Sequence, residues 1–310
     1  KDRGIQTSFV KRVSGVTLST VMTFINDIIP QEQAPRIISF VYAGFSVASV
    51  LGTPIGTLLS DAFGIKSAFV AVEAVALLVT VLLLISVPRS GSTDVSSSVR
   101  EQLVILKDRR IILVLVMKAF GMAATYVFYV YVTPILEDSV GLSVWMVSLV
   151  LFFYGGATIV SNLGSGSLAQ RYGLGKLPLM FALQAVVLVL LGVSLASGNT
   201  VLCIINVVLT GVFIYHMNAP LQSYLLQVSA KDYPRALTLA SAVMPTSSDI
   251  GIATGSFMGG VVATNLGFAW SGPVGAVLAV ISVVAAFMIL QPESRMGGSL
   301  RSRLRRNHKQ

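Results

Sequence analysis

Charge is scarce in this chain. Of its 310 residues only 11% are Asp, Glu, Lys or Arg, against about 25% in a soluble globular protein. Mean hydropathy is +0.81. These values exclude a soluble enzyme, a disordered protein and a collagen-like chain. Cysteine is nearly absent: Cys203 stands alone in an apolar run. Neither a disulfide framework nor a thiolate metal cage can be built from it, and it reads as a small buried hydrophobe. Two histidines are present, and no second His or carboxylate stands at metal-ligand spacing from His216. There is no phosphate-binding loop of the Walker pattern, so this chain does no ATP-driven work. Ten-residue alternations of apolar and polar residues are also missing, which excludes a membrane β-barrel. The net charge is +9. No polar face carries interleaved basic and aromatic residues, so nucleic acid is not the partner this charge implies.

Long apolar runs fill the space that charge vacates. A bilayer core of about 30 Å needs roughly 20 apolar residues per helix. Nine spans are expected, at about 8–29, 37–60, 67–88, 111–135, 142–165, 176–197, 200–223, 236–264 and 268–290. Two stretches are not spans. Residues 89–110 are Ser-rich and then charged, and read as a linker ending in a short amphipathic helix. Residues 291–310 form a basic tail that reads as a solvated, disordered end attracted to anionic headgroups. Placing 89–110 in the cytoplasm puts most lysines and arginines on that side: Arg36, Arg89, Arg100, Lys107, Arg109, Arg110, Arg171, Lys176, Lys231, Arg235 and the tail. The opposite loops hold Lys66 with the acids Asp61, Glu137 and Asp138. This asymmetry orients an integral membrane protein.

Each ionisable residue inside a span needs an explanation, because a charge near the bilayer centre costs roughly 2.5–3.5 kcal/mol on insertion scales. Lys118 lies about two turns inside the fourth span. Its face continues through Gly121, Thr125, Tyr129 and Thr133, with Tyr126 beside it. A polar stripe on an otherwise apolar helix lines a cavity or a packed interface. Lys118 either faces a wet pathway or snorkels to the near surface. Asp249 sits near the middle of the eighth span, too deep and too short to snorkel. It reads as a buried carboxylate that exchanges a proton, or as a packing residue beside Ser247 and Ser248. Glu73 belongs at the outer interface. His216 and Asn218, near the cytoplasmic end of the seventh span, are weak candidates for a proton relay. Gly251, Gly255 and Gly259 recur every four residues and allow helix backbones to touch. Gly44, Gly52, Pro54, Gly56 and Gly64 form a second cluster, where Pro54 removes a helical hydrogen bond.

These motifs carry a family resemblance. The chain resembles the major facilitator superfamily in its drug:proton antiporter group, and is most similar to the sugar-efflux (arabinose-efflux-like) and purine-efflux branches. Gly52-Thr-Pro-Ile-Gly56 resembles the antiporter motif of the family's fifth helix, leading into Gly64-Ile-Lys-Ser-Ala-Phe69. Tyr131-Val-Thr-Pro134-Ile-Leu136, followed by Gly141, resembles the exit of the seventh helix. Gly166-Ser-Leu-Ala-Gln-Arg171-Tyr-Gly173 resembles the second copy of the cytoplasmic loop motif, with Gln170 where an Asp often stands. Ser247 to Gly260 resembles the eleventh helix, with Asp249 where Asn is common. Lys11-Arg-Val-Ser-Gly15 resembles the fourth-helix motif, whose cation is Lys11 or Arg12.

The resemblance implies an all-α membrane protein, a bundle of about nine transmembrane helices corresponding to helices four to twelve of twelve. Residues 1–88 would be the remainder of the N-terminal half, 89–110 the cytoplasmic linker, 111–290 the six-helix C-terminal half and 291–310 the basic tail. The implied activity is proton-coupled efflux of a small organic solute, such as a sugar, nucleobase or drug, by alternating access in a bacterial cytoplasmic membrane. Such proteins mostly work as monomers, without a cofactor. Lys118, Thr125, Tyr126 and Tyr129 would line the substrate cavity, with Asn206 and Thr210 opposite. Asp249, with Arg12 or Lys11, would serve proton coupling. Gly52, Pro54, Gly56, Gly166, Arg171 and Gly173 would serve conformational change. The alternative expectation is a truncated membrane fragment without transport activity.

Overall fold

The computed structural model describes residues 29, 30, 32–86 and 102–307. The expected span 8–29, with Lys11 and Arg12, lies outside the described residues but for Ile29. Among the described residues every regular element is helical. The longer helices among them are α1 Ala34–Phe63, α2 Ile65–Ser86, α3 Arg109–Tyr129, α4 Val144–Tyr172, α5 Leu177–Ser197, α6 Thr200–Phe213, α7 Asn218–Asp232, α8 Leu237–Asn265 and α9 Ser271–Asn307. A 3₁₀ turn, Leu103–Lys107, precedes α3, and a short helical segment with a π turn, Val132–Pro134 and Ile135–Ser139, follows it.

Local chemistry sets these boundaries. Pro35 and Pro178 stand in the first turns of α1 and α5, where a missing N–H is harmless. Asp108 caps α3 by accepting the Arg110 N–H at 2.8 Å, and Asn199 caps α6 by accepting the Leu202 N–H at 3.1 Å. Each cap satisfies an orphan donor of the first turn. Gly198 ends α5 in the left-handed region, at φ 65° and ψ 11°. A side chain would resist that conformation.

Five described helical stretches are long and apolar enough to cross a membrane: 109–129, 144–172, 177–197, 200–232 and 268–291. The expected span 236–264 corresponds to α8, which is long enough. Its glycines, hydroxyls and Asp249 leave it less apolar, so it depends on its neighbours for shelter. Two expectations need correction. The run 200–223 is not one helix: it breaks at residues 214–217 and restarts as α7. The basic tail is not irregular, since α9 continues to Asn307.

The bundle holds polar side chains among its apolar core and shows an apolar exterior. Phe152 and Phe153 of α4, Val186, Val189 and Val193 of α5, and Val277, Val280 and Val284 of α9 are exposed. Lys118, Asn162, Gln184, Asn206, Asn218 and Gln222 are buried. In water this arrangement would be unstable, whereas in lipid it is the expected one. Cys203 is buried as expected, its thiol 3.7 Å from Ser194 Oγ.

Helices α8 and α9 pack along α3. The four-residue glycine repeat explains the α3–α8 contact. A Cβ on Gly251, Gly255 or Gly259 would strike the carbonyl oxygen of Ala119, Ala123 or Val127 respectively. Both helices advance four residues together, so the backbones touch along three turns. Helix α9 closes on α5 in the same way, where Gly192 faces Pro273 and Gly272 faces the Leu188 carbonyl.

Helix α1 lies on α4 and α7, and α2 packs on α1. A Cβ on Gly166 would lie 2.6 Å from Ser39 Cβ and 3.2 Å from the Pro35 carbonyl oxygen. Gly166→Val is therefore expected to force α1 away from α4 and cost about 1–3 kcal/mol. A fall in melting temperature in detergent checks this, with Gly164→Ala unchanged because nothing lies within 4 Å of its Cβ position.

At the end of the bundle bearing Asp108, Arg110 joins Asp108 at 2.7 Å and Asp232 at 2.6 Å, and Tyr233 donates its hydroxyl to Asp108 at 3.1 Å. The Arg110 hydrogen bond holds the Asp108 carboxyl below its ordinary value. A depressed carboxylate stabilises the fold above its unfolded value, about 3.9, and loses that contribution as pH falls through the folded one. Asp108→Asn is expected to destabilise the fold at pH 7 by about 1 kcal/mol or less, because Arg110 is partly exposed, and so to lower the melting temperature slightly. The difference from wild type should shrink as the pH is lowered to about 3.

Candidate functional site

The site forms around the break between α6 and α7. Residues 214–217 are not helical, and irregular backbone at membrane depth must be sheltered by protein. Ser161 Oγ of α4 accepts the Tyr215 N–H at 3.0 Å, and the Tyr215 carbonyl accepts the Asn218 N–H at 3.0 Å. His216 Nδ1 is bonded to the Phe213 carbonyl, and its ring meets Phe181 edge-on at 4.8 Å.

Lys118 of α3 reaches this break. It is 2% exposed, and its Nζ donates to Asn218 Oδ1. It neither snorkels nor opens onto solvent, so neither sequence reading describes it fully. The centre of the Tyr42 ring of α1 lies 5.9 Å from Nζ. That separation is within cation–π range. Asn218 Nδ2 donates to Asn162 Oδ1 at 2.7 Å. Asn162 Nδ2 donates to Ser46 Oγ at 2.6 Å and to the Tyr42 carbonyl at 3.2 Å. The Tyr42 hydroxyl donates to Gln222 Oε1 at 3.5 Å.

Tyrosines make the neighbouring wall. Tyr129 stacks on Tyr154 at 4.9 Å and meets Tyr126 edge-on at 5.4 Å. Asp249 of α8 is exposed rather than buried. Tyr154 Oη, His216 Nε2, Gln222 Nε2 and Ser223 Oγ are buried without a protein partner. Polar atoms in that state at membrane depth are suited to water or to a polar solute.

Of the expected cavity residues, Tyr126 and Tyr129 meet each other farther along α3, where Tyr129 also meets Tyr154, while Lys118 reaches Asn218 and Tyr42. Thr125 does neither: it is fully buried between α3 and α5, where Gln184 Nε2 donates to its hydroxyl at 3.0 Å. Asn206 turns toward α5, its amide 3.5 Å from the Leu190 carbonyl. The buried Thr210 hydroxyl bonds within its own helix to Val207. Thr125 thus ties α3 to α5 and Asn206 lies between α6 and α5.

The conformational residues fall elsewhere. Gly52, Pro54 and Gly56 lie within the continuous helix α1. Gly166 makes the α1–α4 crossing described above. Arg171 is exposed in the last turn of α4, and Gly173 closes that helix at φ 54°. Gln170, standing where the family often has Asp, donates to the Glu32 carbonyl at 3.3 Å, so a neutral hydrogen bond ties α4 to the approach to α1. Glu73 is exposed on α2.

The sequence reading missed Tyr42, Ser46, Tyr154, Asn162, Tyr215 and Gln222. An available signal was the side-chain amide of Asn162 inside an expected span.

The arrangement is that of a solute-handling membrane protein: a helix broken at membrane depth and a buried cation. Residues 13–237 match the family model described as Major Facilitator Superfamily, and the chain belongs to that superfamily. It is 30% identical over 271 residues to the "Uncharacterized MFS-type transporter YtbD" of Bacillus subtilis (strain 168), covering 87% of this chain and 68% of that one. It is 24% identical over 270 residues to the "Inner membrane transport protein YdhP" of Escherichia coli (strain K12), covering 86% and 68%. Among solved structures, the outward conformation of the MFS transporter FucP superposes with a TM-score of 0.69 at 14% identity, over 88% of this chain and 72% of that one. An outward-facing bacterial homologue of the iron transporter ferroportin gives 0.63 at 15% identity, over 86% and 66%. The chain is thus an integral membrane protein of a transporter superfamily, with the fold of that superfamily.

Proposed function

We propose that the chain carries out proton-coupled efflux of a small organic solute by alternating access in a bacterial cytoplasmic membrane. In this reading α1 to α9 supply helices five to twelve of a twelve-helix protein, and residues 8–29 supply the fourth. α1 and α2 belong to one half and α3 to α9 to the other, joined by the linker 89–110. The single observation behind the reading is the buried Lys118 bonded to Asn218 at a broken helix, with Tyr126 and Tyr129 farther along the same helix α3. A buried cation inside a bundle marks a solute or ion pathway. Asp249 alternates between a protonated state and a charged state attracted to Lys118. The solute rests against Tyr126 and Tyr129, whose rings offer flat apolar faces and whose hydroxyls offer hydrogen bonds. A monomer suffices, and no cofactor is required.

The test is transport into everted membrane vesicles energised to an acid interior. Labelled pentoses, hexoses and purine bases, and a cationic dye, are offered in turn. One class should accumulate, and collapsing the proton gradient should stop it. Accumulation that persists after the collapse would refute proton coupling, and accumulation of none would refute these solute classes.

A further inference from the structure

We propose that Asn162 and Asn218 are positioning residues that carry the state of Lys118 to the seam between α1 and α4. The inference rests on the alternating-access reading and adds how the site and the seam communicate.

Four buried side chains make one uninterrupted chain. Lys118 donates to Asn218, Asn218 to Asn162 at 2.7 Å, and Asn162 to Ser46 at 2.6 Å. Their exposures are 2%, 2%, 1% and 4%. Each amide is used at both ends, with its carbonyl toward Lys118 and its NH₂ toward α1. The chain therefore has a direction. Neither amide can turn over without confronting a neighbour's donor with a donor. In lipid no bulk water replaces a lost partner, so links in such a chain stand or fall together.

The head of the chain has two claimants. Asn218 accepts from Lys118, and in the transport reading Asp249 of α8 competes for the same ammonium. When Asp249 or a solute draws Nζ away, Asn218 Oδ1 loses its donor and its amide is free to turn. Asn162 then loses the partner that orients it toward Ser46. The tail of the chain lies on the seam itself. Ser39, Tyr42 and Ser46 recur at three and four residues along one face of α1. They meet Asn162 and Gly166, one turn apart on α4. The seam thus combines a tight pivot at Gly166 with a hydrogen-bonded catch at Asn162. Losing the catch leaves the pivot, which permits rocking without separation.

The test is a double-mutant cycle read as a distance between the helices. The full natural protein carries Cys203→Ser and spin labels at Gln33→Cys and Tyr172→Cys, both exposed, and is reconstituted in nanodiscs. The unsubstituted pair should show two distance populations. Lys118→Met should change their ratio by about tenfold, and by less than about twofold when Asn162→Ala is already present. Thr158→Val, whose hydroxyl bonds only within α4, should leave the tenfold change intact. Asn218→Ala repeats the cycle at the middle link if Asn162→Ala does not yield monodisperse protein. Equal effects of Lys118→Met with and without either asparagine would overturn the relay. A single distance population in the parent protein would instead overturn alternating access itself.

Discussion

Gly255→Val is expected to leave little folded protein in the membrane. A Cβ at this position would stand 2.5 Å from the Ala123 carbonyl oxygen and 2.9 Å from Ala123 Cα. The obstacle is backbone, which cannot swing aside as a side chain end can. Gly251 and Gly259 hold the same relation to Ala119 and Val127 one turn away on either side. Relief at residue 255 therefore requires α8 to leave α3 along its length. Overpacking a well-packed core typically costs about 1–3 kcal/mol, and a rigid three-turn contact belongs at or above the upper end. Marginal stability of about 5–15 kcal/mol leaves limited room for such a loss. Size-exclusion profiles and melting curves of the detergent-extracted protein check this. Phe257→Leu on the same helix, at a side chain 74% exposed, is expected to change stability by less than about 0.5 kcal/mol.

Lys118→Met is expected to abolish energised transport while leaving the protein folded. Methionine keeps much of the apolar stem that packs in the α3 core and removes the charge. Asn218 Oδ1 loses its donor, a penalty of about 1–3 kcal/mol, which a bundle of this size survives. Transport depends on the charge itself. In the transport reading Asp249 would lose the cation it alternates with, and the solute a fixed charge on its pathway. A fall of about 100-fold in the initial rate, or about 2.7 kcal/mol, follows. Vesicle transport and melting temperature are measured on the same preparation. A rate within about threefold of wild type would remove Lys118 from the pathway.

Much of the fold was legible because a bilayer imposes a simple rule. Eight of the nine expected spans fall on described helices, since runs of roughly 20 apolar residues have few alternatives in lipid. The glycine repeat in α8 was legible for a related reason. Small residues every four positions describe one helical face, and such a face is useful only against another backbone.

The break at residues 214–217 was not read from the sequence, although Pro220 stands four residues after His216, where its ring disfavours a continuous helix. Its other support is Ser161, from another helix. Local sequence does not encode that partner. The same holds for the Asn162–Ser46 bond, which joins residues 116 apart. It depends on the register of α1 against α4, which Gly166 and Ser39 set. Thr125, Asn206 and Thr210 were plausible cavity residues by face and depth alone. A hydroxyl or amide facing a cavity and one facing a neighbouring helix look identical in sequence until helix rotation is known. Asp249 shows the converse. Its depth suggested burial, and the rotation of α8 exposes it instead.

The most direct test of proton-coupled efflux compares wild type with Asp249→Asn in everted vesicles loaded with a pH-sensitive dye and acidified inside. A solute from the class that wild type accumulates is added, and proton exit is followed as recovery of dye fluorescence. The account predicts prompt recovery in wild type. It predicts none in Asp249→Asn, although that variant should still exchange labelled for unlabelled solute. Equal recovery in both proteins would contradict it, because the proton would then travel by a route that does not pass through Asp249.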